Sequence, residues 1–480
     1  MPLLTEFPNL KIIQTLARRR KRRVYLVGGF LRDYLLGRPQ MDFDFAVERD
    51  ALALARAFAR QIQGAFVLLD ADAGCGRVVK KQNGEIFTFD FADFRADTLE
   101  KDVRGRDFTI NTLCLSLRDL KDSAPPSEHL LDFTNARRDL NAKVIRMVSS
   151  RAFRDDPLRL LRAFSLRAQL GFRIEAKTLT QIKKDRGRIR DVSTERVREE
   201  FFKILASGRA YTVIREMDTI GLLAKIIPQL TIMHKVHQGG YHHLDVWRHT
   251  LEALRQLELL FEEVKPKTEW GEYLNETLGG GHPRTAVVKL AVLLHDVGKP
   301  ETKKKENGRM SFHAHEHVGQ RIARIVAKNL KLSVKERHAL EDMVLFHLRP
   351  GYLSNFPKPS ERSIFRYLRD TKDEAASILF LSLADQRATR GPLTTEHDLA
   401  HHEKICLNVL ERYFTRKKET PLVRLITGHD LIKKLKLSPS PLFAEILKAV
   451  EEQQALGKVR SKEEALKLAR GIALKRKTHR

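Results

Sequence analysis

The chain has 480 residues, of which 42% are apolar and 31% are charged. This balance is typical of a soluble globular protein, and the length predicts three or four domains rather than one core. The formal net charge of +27 indicates a polyanionic partner such as nucleic acid, because each neutralised phosphate releases counterions. A cationic surface kept for solubility is the alternative.

Cysteine usage and hydropathy exclude several protein classes. Cys75, Cys114 and Cys406 are too far apart for a CxxC metal site or a disulfide framework, which fits a reducing compartment. No run reaches the ~18 apolar residues that a membrane span needs. The basic run at residues 18–23 precedes an apolar stretch that is too short for a signal peptide and is interrupted by Arg32. We therefore expect a cytoplasmic protein without a membrane partner.

The first 148 residues mix strand and helix signals. Gly28 and Gly29 break the first strand, and Gly37 closes the helix that follows it. We expect strands at residues 24–27, 42–47, 66–69, 76–80 and 85–94, and helices at residues 30–37 and 51–63. Pro125 and Pro126 mark a loop near the end of the region. These signals predict an α+β head, with a small mixed or antiparallel sheet and helices.

Strand signals fade after residue 150. Apolar side chains recur at helical spacing, as at Leu158 and Leu161, and again at Phe202 and Leu205. We expect an all-α neck at residues 149–230. Twelve of the 18 histidines lie from His234 to His347, which distinguishes a third region at residues 231–400, also expected to be all-α, from a basic helical tail at residues 401–480.

Two of the predicted strands alternate acidic and aromatic residues. Asp42 and Asp44 share one face of the first, and Asp90 lies opposite the phenylalanines of the second. If the strands are neighbours, three carboxylates converge. Phosphoryl transfer needs such a set to hold two Mg²⁺ ions roughly 3.5–4 Å apart, one activating the attacking 3′-hydroxyl and one steadying pyrophosphate. A solvated acidic strand face is the alternative for this motif alone.

A glycine pair precedes the acidic motif. Gly28 and Gly29 stand before a helix, so that backbone amides can approach a phosphate and Arg32 can pair with a triphosphate. A plain strand–turn–helix would also explain the glycines. The combination GGFLRDYLLG, followed after four residues by DFD, is far more specific.

This segment resembles the signature GGxVRDxLLG…DxD of class II tRNA nucleotidyltransferases, the bacterial CCA-adding enzymes and their poly(A) polymerase relatives. The resemblance continues in order. Residues 106–111 resemble RRDFTxN, residues 132–146 resemble in part the hinge motif DPxGGxxDLxxxxIR, and residues 155–162 resemble EDxxRxxR. Arg196 and Glu200 resemble the RxxxE that follows.

The resemblance implies a set of site residues. Asp42, Asp44 and Asp90 would be catalytic, with Asp42 and Asp44 binding Mg²⁺. The nucleotide-binding residues would be Gly28, Gly29, Arg32, Asp33, Arg106, Asp107, Asn111, Asp156, Arg159 and Arg162.

Base reading has its own physical reason. Asp156 and Arg159 are three residues apart at a helix start and face the same way. Their carboxylate and guanidinium can pair with the amine and the ring acceptor that C and A share, in place of a template base. An N-cap aspartate in an ordinary ion pair is the alternative.

Three departures from the family pattern concern phosphate contacts and the hinge. Gly105 stands where the first Arg of RRD is usual, Asn135 and Ala136 replace the hinge glycines, and Ser165 replaces a further Arg.

The stretch after the last predicted strand is short. Only residues 96–98 separate Arg95 from the helix that begins LEKDV, where CCA-adding relatives have a longer flexible loop that is thought to re-form the site for ATP. The resemblance therefore implies the CC-adding branch, which adds two CMP residues from CTP to tRNA. A full CCA-adding enzyme, using ATP as well, and an A-adding or poly(A) polymerase are the alternatives.

The histidine-rich region resembles an HD domain. His249, His295, Asp296 and Asp385 follow the order H…HD…D within matches such as LAVLLHDVGKP, and His315 and His347 are further candidate ligands. The resemblance implies a divalent transition metal and a phosphohydrolase acting on phosphomonoesters or 2′,3′-cyclic phosphates. Packed core histidines, in a domain serving as a spacer, are the alternative.

Two other functions compete with an RNA 3′-end polymerase. One is an HD-type phosphohydrolase whose head only binds nucleotide, and the other is a non-catalytic RNA-binding protein. The intact set of Asp42, Asp44 and Asp90 argues against both. We expect the tRNA acceptor stem to be bound by shape and phosphate, because A-form grooves hide base edges.

Overall fold

The computed structural model describes residues 3–38, 41–121, 129–239, 243–266, 268–306, 309–418 and 423–477. The loop predicted at Pro125 and Pro126 lies outside these ranges. The chain divides into two compact units, one formed by Met1–Arg209 and Glu216–Ile226 and the other by Ala210–Arg215 and Ile227–Arg480. No helix in the described ranges has both the length and the apolar character needed to cross a membrane.

A mixed sheet of seven strands organises the start of the first unit. The strands are β1 (Val24–Val27), β2 (Asp42–Val47), β3 (Ala65–Asp70), β4 (Cys75–Gln82), β5 (Glu85–Asp93), β6 (Cys114–Ser116) and β7 (Leu130–Leu131). They lie in the order β3-β4-β5-β2-β1-β6-β7. The central pair, β2 and β5, is parallel, and the other pairs are antiparallel.

Helices surround this sheet and continue beyond it. They are α1 (Leu3–Glu6), α2 (Asn9–Arg19), α3 (Gly29–Leu35), α4 (Ala51–Ile62), α5 (Leu99–Arg104), α6 (Ala136–Asn141), α7 (Ala152–Asp155), α8 (Arg159–Leu170), α9 (Ala176–Asp185), α10 (Thr194–Ala206), α11 (Ala210–Thr219) and α12 (Leu223–Ile226). A two-stranded ribbon joins β8 (Val144–Ile145) to β9 (Arg173–Ile174).

Aromatic packing fixes which face of the sheet is buried. Phe43 stacks on Phe89 at 5.0 Å between ring centroids, and Phe45 stacks on Phe91 at 4.8 Å. Phe58 of α4 packs edge-on against Phe89. Each such pair is worth about 0.5–1.5 kcal/mol beyond its buried area. Since side chains alternate along a strand, this packing leaves the acidic residues between the phenylalanines on the opposite face.

The second unit is almost entirely helical. Its helices are α13 (Val246–Glu263), α14 (Glu269–Asn275), α15 (Arg284–Leu294), α16 (Lys299–Thr302), α17 (His315–Asn329), α18 (Val334–Phe346), α19 (Arg349–Leu353), α20 (Glu361–Thr371), α21 (Ala375–Ala388), α22 (Glu396–Lys418), α23 (Gly428–Leu435), α24 (Leu442–Ala455) and α25 (Lys462–Lys477). One hairpin pairs β10 (Lys304–Glu306) with β11 (Arg309–Ser311).

Two cores stabilise the second unit. Every residue of α15 from Ala286 to Leu294 is buried, so the helix runs through the middle of its bundle. Residues after 423 have their own apolar cluster, in which Ile446 and Val450 of α24 pack with Leu431 and Ala469. The α+β head followed by helical regions confirms the predicted fold class, and the three short strands β9, β10 and β11 are its exceptions.

Candidate active site

The predicted carboxylates meet at the centre of the sheet. β2 and β5 pair so that Asp44 lies opposite Asp90 and Asp42 lies opposite Thr88, whose hydroxyl donates to the Asp42 carboxylate. Arg77 of β4, in register with Asp90, donates to both of its oxygens at 2.7 Å. The parallel pairing therefore places the three acids on one face of the sheet.

The electrostatics of this face suit a divalent cation. Burial, together with the charges of Asp90 and Asp42, raises the pKa of Asp44 to about 6 against the opposing effect of Arg106. Carboxylate oxygens are hard ligands of the kind that Mg²⁺ prefers, and a cation among them would relieve their mutual repulsion. The donor set thus fits a metal held by Asp42 and Asp44.

Gly28 brings the backbone against these acids. It has φ of 80° at the junction of β1 and α3, and a Cβ built on it would lie 2.7 Å from Oδ2 of Asp44. Both observations require glycine at this position. The neighbouring Gly29 is less constrained, because its Cβ would meet only the end of the Arg32 side chain at 3.4 Å.

Five predicted nucleotide-binding residues form one hydrogen-bonded network. Arg32 donates to both oxygens of Asp33, at 2.9 and 2.7 Å, and to the Asn111 side-chain oxygen at 2.6 Å. Asn111 donates to Asp107 at 3.1 Å, and Arg162 of α8 reaches the other Asp107 oxygen at 3.4 Å. The network ties the glycine turn, the turn at Thr109–Asn111 and α8 into one wall.

Asp107 is the central acceptor of that network. Burial alone would raise its pKa, but Arg162, the Phe108 amide and Asn111 outweigh burial and hold the pKa below its usual range. Asp107 therefore remains a carboxylate that fixes Asn111 and Arg162 in place.

A cavity of about 500 Å³ opens beside the acids. Asp44 and Asp90 line it, together with other residues of the sheet, of α8 and of α10. Its basic lining residues are Arg32, Arg95, Arg106, Arg159, Arg162 and Lys203. Carboxylates beside basic side chains can hold a triphosphate and a metal together.

The structure does not bring Asp156 and Arg159 together as a pair. The Asp156 carboxylate bonds Arg196 of α10 at 3.0 Å, and Asp156 is absent from the cavity lining. Arg159 lines the cavity and donates to the backbone oxygens of Gly105 and Ala152. Of the two residues predicted to read the base, only Arg159 reaches the cavity in this conformation.

Among the residues of the second unit that the structure describes, two groups of side chains could bind a metal ion. His249, His295 and Asp385 form one group, and Asp296, His315 and His347 form the other. Oδ2 of Asp296 lies 3.3 Å from Nε2 of His295, while its Oδ1 lies 3.5 Å from Nε2 of His315. Asp296 thus faces both groups, as a bridging carboxylate would.

Hydrogen bonds to the backbone fix the orientation of three imidazoles. Nδ1 of His295, His315 and His347 lies 2.7–2.9 Å from the carbonyl oxygen three residues earlier, so Nδ1 carries the hydrogen. Nε2 of His315 and Nε2 of His347 then face each other at 3.2 Å. In neutral rings both atoms carry lone pairs, and a cation between them and Asp296 would satisfy both.

Charge in this cluster is unevenly divided. Burial opposes protonation of His295, but Asp296 and Asp385 outweigh it and raise the pKa of His295 to about 10. Burial and the neighbouring His295 and His315 lower the pKa of His347 to about 3. Imidazole nitrogens with a shared carboxylate fit a divalent transition metal.

Positioning residues hold this cluster at the end of α15. Lys299 donates to Oδ2 of Asp296 and to the Gln238 side chain, each at 2.7 Å. Gly298 lies so close to α17 that a Cβ would be 2.2 Å from the His315 carbonyl oxygen. A cavity of about 770 Å³, lined by His315, His347 and Asp385 among others, gives a ligand access.

Family models match four consecutive segments of the chain. The poly(A) polymerase head domain matches residues 24–146, and the RNA- and SrmB-binding site of polymerase A matches residues 171–233. The HD domain matches residues 246–390, and domain 2 of tRNA nucleotidyltransferases matches residues 417–469.

Curated relatives extend over nearly the whole chain. The A-adding tRNA nucleotidyltransferase of Deinococcus radiodurans is 32% identical over 92% of this chain and 93% of its own length. The chain belongs to the class II tRNA nucleotidyltransferase and poly(A) polymerase family. Another member, the CC-adding tRNA nucleotidyltransferase of Thermus thermophilus, is 30% identical over 92% of this chain and 91% of the relative.

Solved structures share the fold of this tRNA nucleotidyltransferase family member. The complex of a CCA-adding enzyme with ATP has a TM-score of 0.62 at 22% identity, covering 96% of this chain and 93% of that one. The Thermotoga maritima CCA-adding enzyme complexed with tRNA has a TM-score of 0.59 at 22% identity, with the same coverage of each chain.

The cavity of this family member includes residues that motif reading did not select. These are Leu166, Gln169 and Lys203, and Lys203 donates to Glu200, which also lines the cavity and belongs to the RxxxE motif. Helical spacing from Arg162 along α8 could have indicated Leu166 and Gln169. Lys203 follows Glu200 by three residues on α10, but no local pattern shows that α10 faces α8.

Proposed function

We propose that this chain adds two CMP residues from CTP to the 3′ end of tRNA and releases pyrophosphate. Addition of nucleotides to RNA is common to the family and does not distinguish its branches. The observation that supports CC addition in particular is the short connection from β5 to α5. β5 ends at Asp93, so the connection is residues 94–98 rather than the shorter stretch expected from the sequence.

This connection is restrained at both ends. The amide of Arg95 donates to Asp102 at 3.0 Å, and Thr98 caps α5 by accepting from the Lys101 amide at 3.3 Å. A segment of this kind leaves little freedom for the cavity to re-form for a second nucleotide. This supports addition that stops after C.

The hinge offers further support. Asn135 has φ of 62° before α6, and the Asp132 carboxylate accepts from the amides of Thr134, Ala136 and Arg137 at 2.8–3.2 Å. Three bonds to one carboxylate brace the turn, whereas the Gly-Gly of the family pattern would leave it free.

The roles of the head residues follow from their positions. Asp42 and Asp44 would hold Mg²⁺, which when bound activates the acceptor hydroxyl and neutralises charge on the departing phosphates. Asp90 lies beside Asp44 on the same face of the sheet and can accept the proton of the acceptor 3′-hydroxyl. Arg106 and Arg162 line the cavity and would bind the triphosphate oxygens.

Base selection is assigned to Arg159 and Asp156 in this proposal. Arg159 already lines the cavity. Asp156 must exchange Arg196 for the amine of cytosine, so recognition of CTP requires a shift at the start of α8. Such a shift suits nucleotide-dependent closure of the cavity.

An extension assay tests the proposal. tRNA lacking CCA is incubated with Mg²⁺ and with CTP, ATP or both, beside an Asp42→Ala, Asp44→Ala control. We expect two C residues whether or not ATP is present, and no product from the control. Addition of full CCA would be consistent with the same enzyme class but would overturn CC specificity. Extension with ATP alone would identify an A-adding or poly(A) enzyme.

The ligand cluster around Asp296 favours a second activity, hydrolysis of phosphomonoesters or 2′,3′-cyclic phosphates with a divalent transition metal. p-Nitrophenyl phosphate and a 2′,3′-cyclic nucleotide are tested with Mn²⁺, Co²⁺ or Ni²⁺. We expect His295→Ala, Asp296→Ala to abolish hydrolysis and retain extension of tRNA. Equal hydrolysis by this variant and the wild type would contradict the assignment and favour a spacer role.

A further inference from the structure

The polar face of the head sheet divides at the catalytic carboxylates. Val67, Arg77, Asp90 and Asp44 lie side by side across β3, β4, β5 and β2. Residues in register on neighbouring strands point to the same face, so these four share one. This row separates two regions of the face that differ in solvent exposure and in the polarity of their side chains.

The nucleotide cavity occupies one side of the row. Beyond Asp90, Ala92 of β5 and Arg95 of the connection that follows β5 line the cavity, and Cys75 lines it from β4. The other side of the row contributes nothing to the cavity lining. On that side, the next row across the strands contains Val79 and Thr88, and Thr88 lies beside Asp42. Ile86 follows two residues farther from Asp90 on β5.

This second region is exposed and apolar. The relative exposure is 44% for Val67 and 59% for Ile86. Val79 and Thr88 between them are only partly exposed, so the open area of this face lies mainly at Val67 and Ile86. Exposed apolar patches beside a functional site commonly mark a binding surface. We call the four residues Val67, Val79, Ile86 and Thr88 the β3–β5 face.

Cations border the β3–β5 face. Arg77 holds Asp90, yet 42% of its side chain is exposed between Val67 and that carboxylate. Lys81 lies in register with Ile86 and is exposed at the far end. An uncharged floor with a basic border complements the flat bases and charged backbone of a nucleic-acid strand.

The reaction geometry selects the occupant. In phosphoryl transfer the attacking and leaving oxygens lie roughly in line across the phosphorus. If the incoming nucleotide occupies the cavity, the acceptor must approach the carboxylates from the opposite side. The β3–β5 face lies on that side and is continuous with Asp42 through Thr88.

We propose that the β3–β5 face binds the 3′-terminal nucleotides of the acceptor RNA, with Arg77 contacting a backbone phosphate. The inference rests on the proposed function. Strand spacing places Val67 about 10 Å and Ile86 about 13 Å from Asp90, a span that suits one or two nucleotides. The apolar floor supports the bases without reading them, so it accepts successive 3′ ends as the RNA grows.

The test compares the two faces of the sheet. Val67→Asp and Ile86→Asp place a negative charge on the β3–β5 face, where it repels phosphate. Leu68→Asp is the matched control, because Leu68 is 48% exposed on β3 and points to the opposite face. The Michaelis constants for tRNA lacking CCA and for CTP are measured for each protein, with melting temperatures as a check of folding.

We expect Val67→Asp and Ile86→Asp to raise KM for tRNA about tenfold, as the loss of one phosphate contact and its replacement by repulsion would do. KM for CTP should change less than twofold, and Leu68→Asp should match the wild type. If the aspartate variants do not fold, Val67→Thr and Ile86→Thr replace them, because threonine retains the branched side-chain shape. We expect these variants to raise KM for tRNA by a smaller factor and to leave KM for CTP unchanged.

Two results would overturn the inference. One is an unchanged KM for tRNA in folded variants of the β3–β5 face, and the other is an equal rise in the Leu68→Asp control. A dimer that sedimentation detects and that these variants abolish would assign the face to a second copy instead. If the wild-type protein fails to extend tRNA, the proposed function itself is wrong. The wild-type measurement therefore separates that failure from a failure of the inference about the β3–β5 face.

Discussion

Gly28 shows how a single residue can determine the geometry of the acidic site. Its positive φ and its contact with Asp44 exclude a side chain for two different reasons. Gly28→Ala should lower kcat/KM for CMP transfer roughly 100-fold, because displacement of a reacting group by about 1 Å has that effect. The backbone strain should also reduce the free energy of unfolding by about 1–3 kcal/mol. Extension kinetics and urea unfolding measure the two effects.

Gly37→Ala is the matched control for Gly28→Ala. Gly37 also has a positive φ, of 67°, but a Cβ there meets no atom within 4 Å. The Gly37→Ala variant should lose stability through backbone strain and should retain the kcat/KM of the wild type. If Gly37→Ala impairs transfer as strongly as Gly28→Ala, contact with Asp44 is not the cause.

Residue-level prediction succeeded where the pattern was local. Alternation in Asp42-Phe43-Asp44 fixed which side chains share a face, because the strand period of two leaves no freedom. The ion pair between Asp156 and Arg196 could not be predicted in this way. It joins residues 40 positions apart, and its formation depends on how α10 packs against α8.

At the scale of elements, the start of α18 combines a helix cap with a buried contact between a glutamate and a histidine. Ser333 accepts from the Glu336 amide while the Glu336 carboxylate accepts from the Ser333 amide. The same carboxylate lies 2.7 Å from Nδ1 of His282. Burial would raise the pKa of Glu336, but His282 and Ser333 outweigh burial and lower it to about 2.

This depressed pKa predicts how stability depends on pH. The carboxyl has a pKa near 4.5 when unfolded and about 2 when folded, so its contribution is present above pH 4.5 and is lost as pH falls towards 2. Glu336→Gln keeps the capping geometry without the charge. We expect it to lower the melting temperature at pH 6, with the difference from wild type shrinking steadily to pH 3.

Thermal unfolding at pH 6, 5, 4 and 3 provides the measurement. Glu463→Gln, an exposed glutamate in the first turn of α25, is the control and should change the melting temperature little at any pH. A difference between Glu336→Gln and wild type that stays constant with pH would show that the carboxylate contributes no titratable stability.

Element prediction was accurate for strands with a clear pattern and failed for very short ones. Both β1 and β2 begin and end where alternation and the glycine pair indicate. The ribbon of β8 with β9 escaped prediction, since two residues contain no measurable period. The same limit applies to β10 and β11, which interrupt a region expected to be helical.

For the whole molecule, net charge predicts the salt dependence of substrate binding. The excess of 27 positive charges favours a long polyanion far more than a single nucleotide. Raising monovalent salt from about 50 to about 200 mM should raise KM for tRNA at least tenfold, because several phosphate contacts release counterions. KM for CTP should rise much less. Equal effects on both constants would contradict binding of tRNA through a spread basic surface.

The order of motifs along the chain predicted the sequence of regions but not their grouping. The head and most of the neck fall in one compact unit, whereas residues 210–215 and 227–230 of the neck fall in the other with the histidine-rich region and the tail. Motif spacing contains no information on such packing, because it depends on apolar contacts between distant helices. The domain limits at residues 148, 230 and 400 remain predictions.

The parallel pairing of β2 with β5 has a consequence for the order of folding. β3, β4 and β5 can join as consecutive hairpins, but Asp44 meets Asp90 only after the 45 residues between them have closed a loop. The cavity wall from α10 requires a still longer closure. On an emerging nascent chain, the strands that bear the acids are therefore available before the nucleotide cavity can be complete, because the cavity lining extends to residue 203.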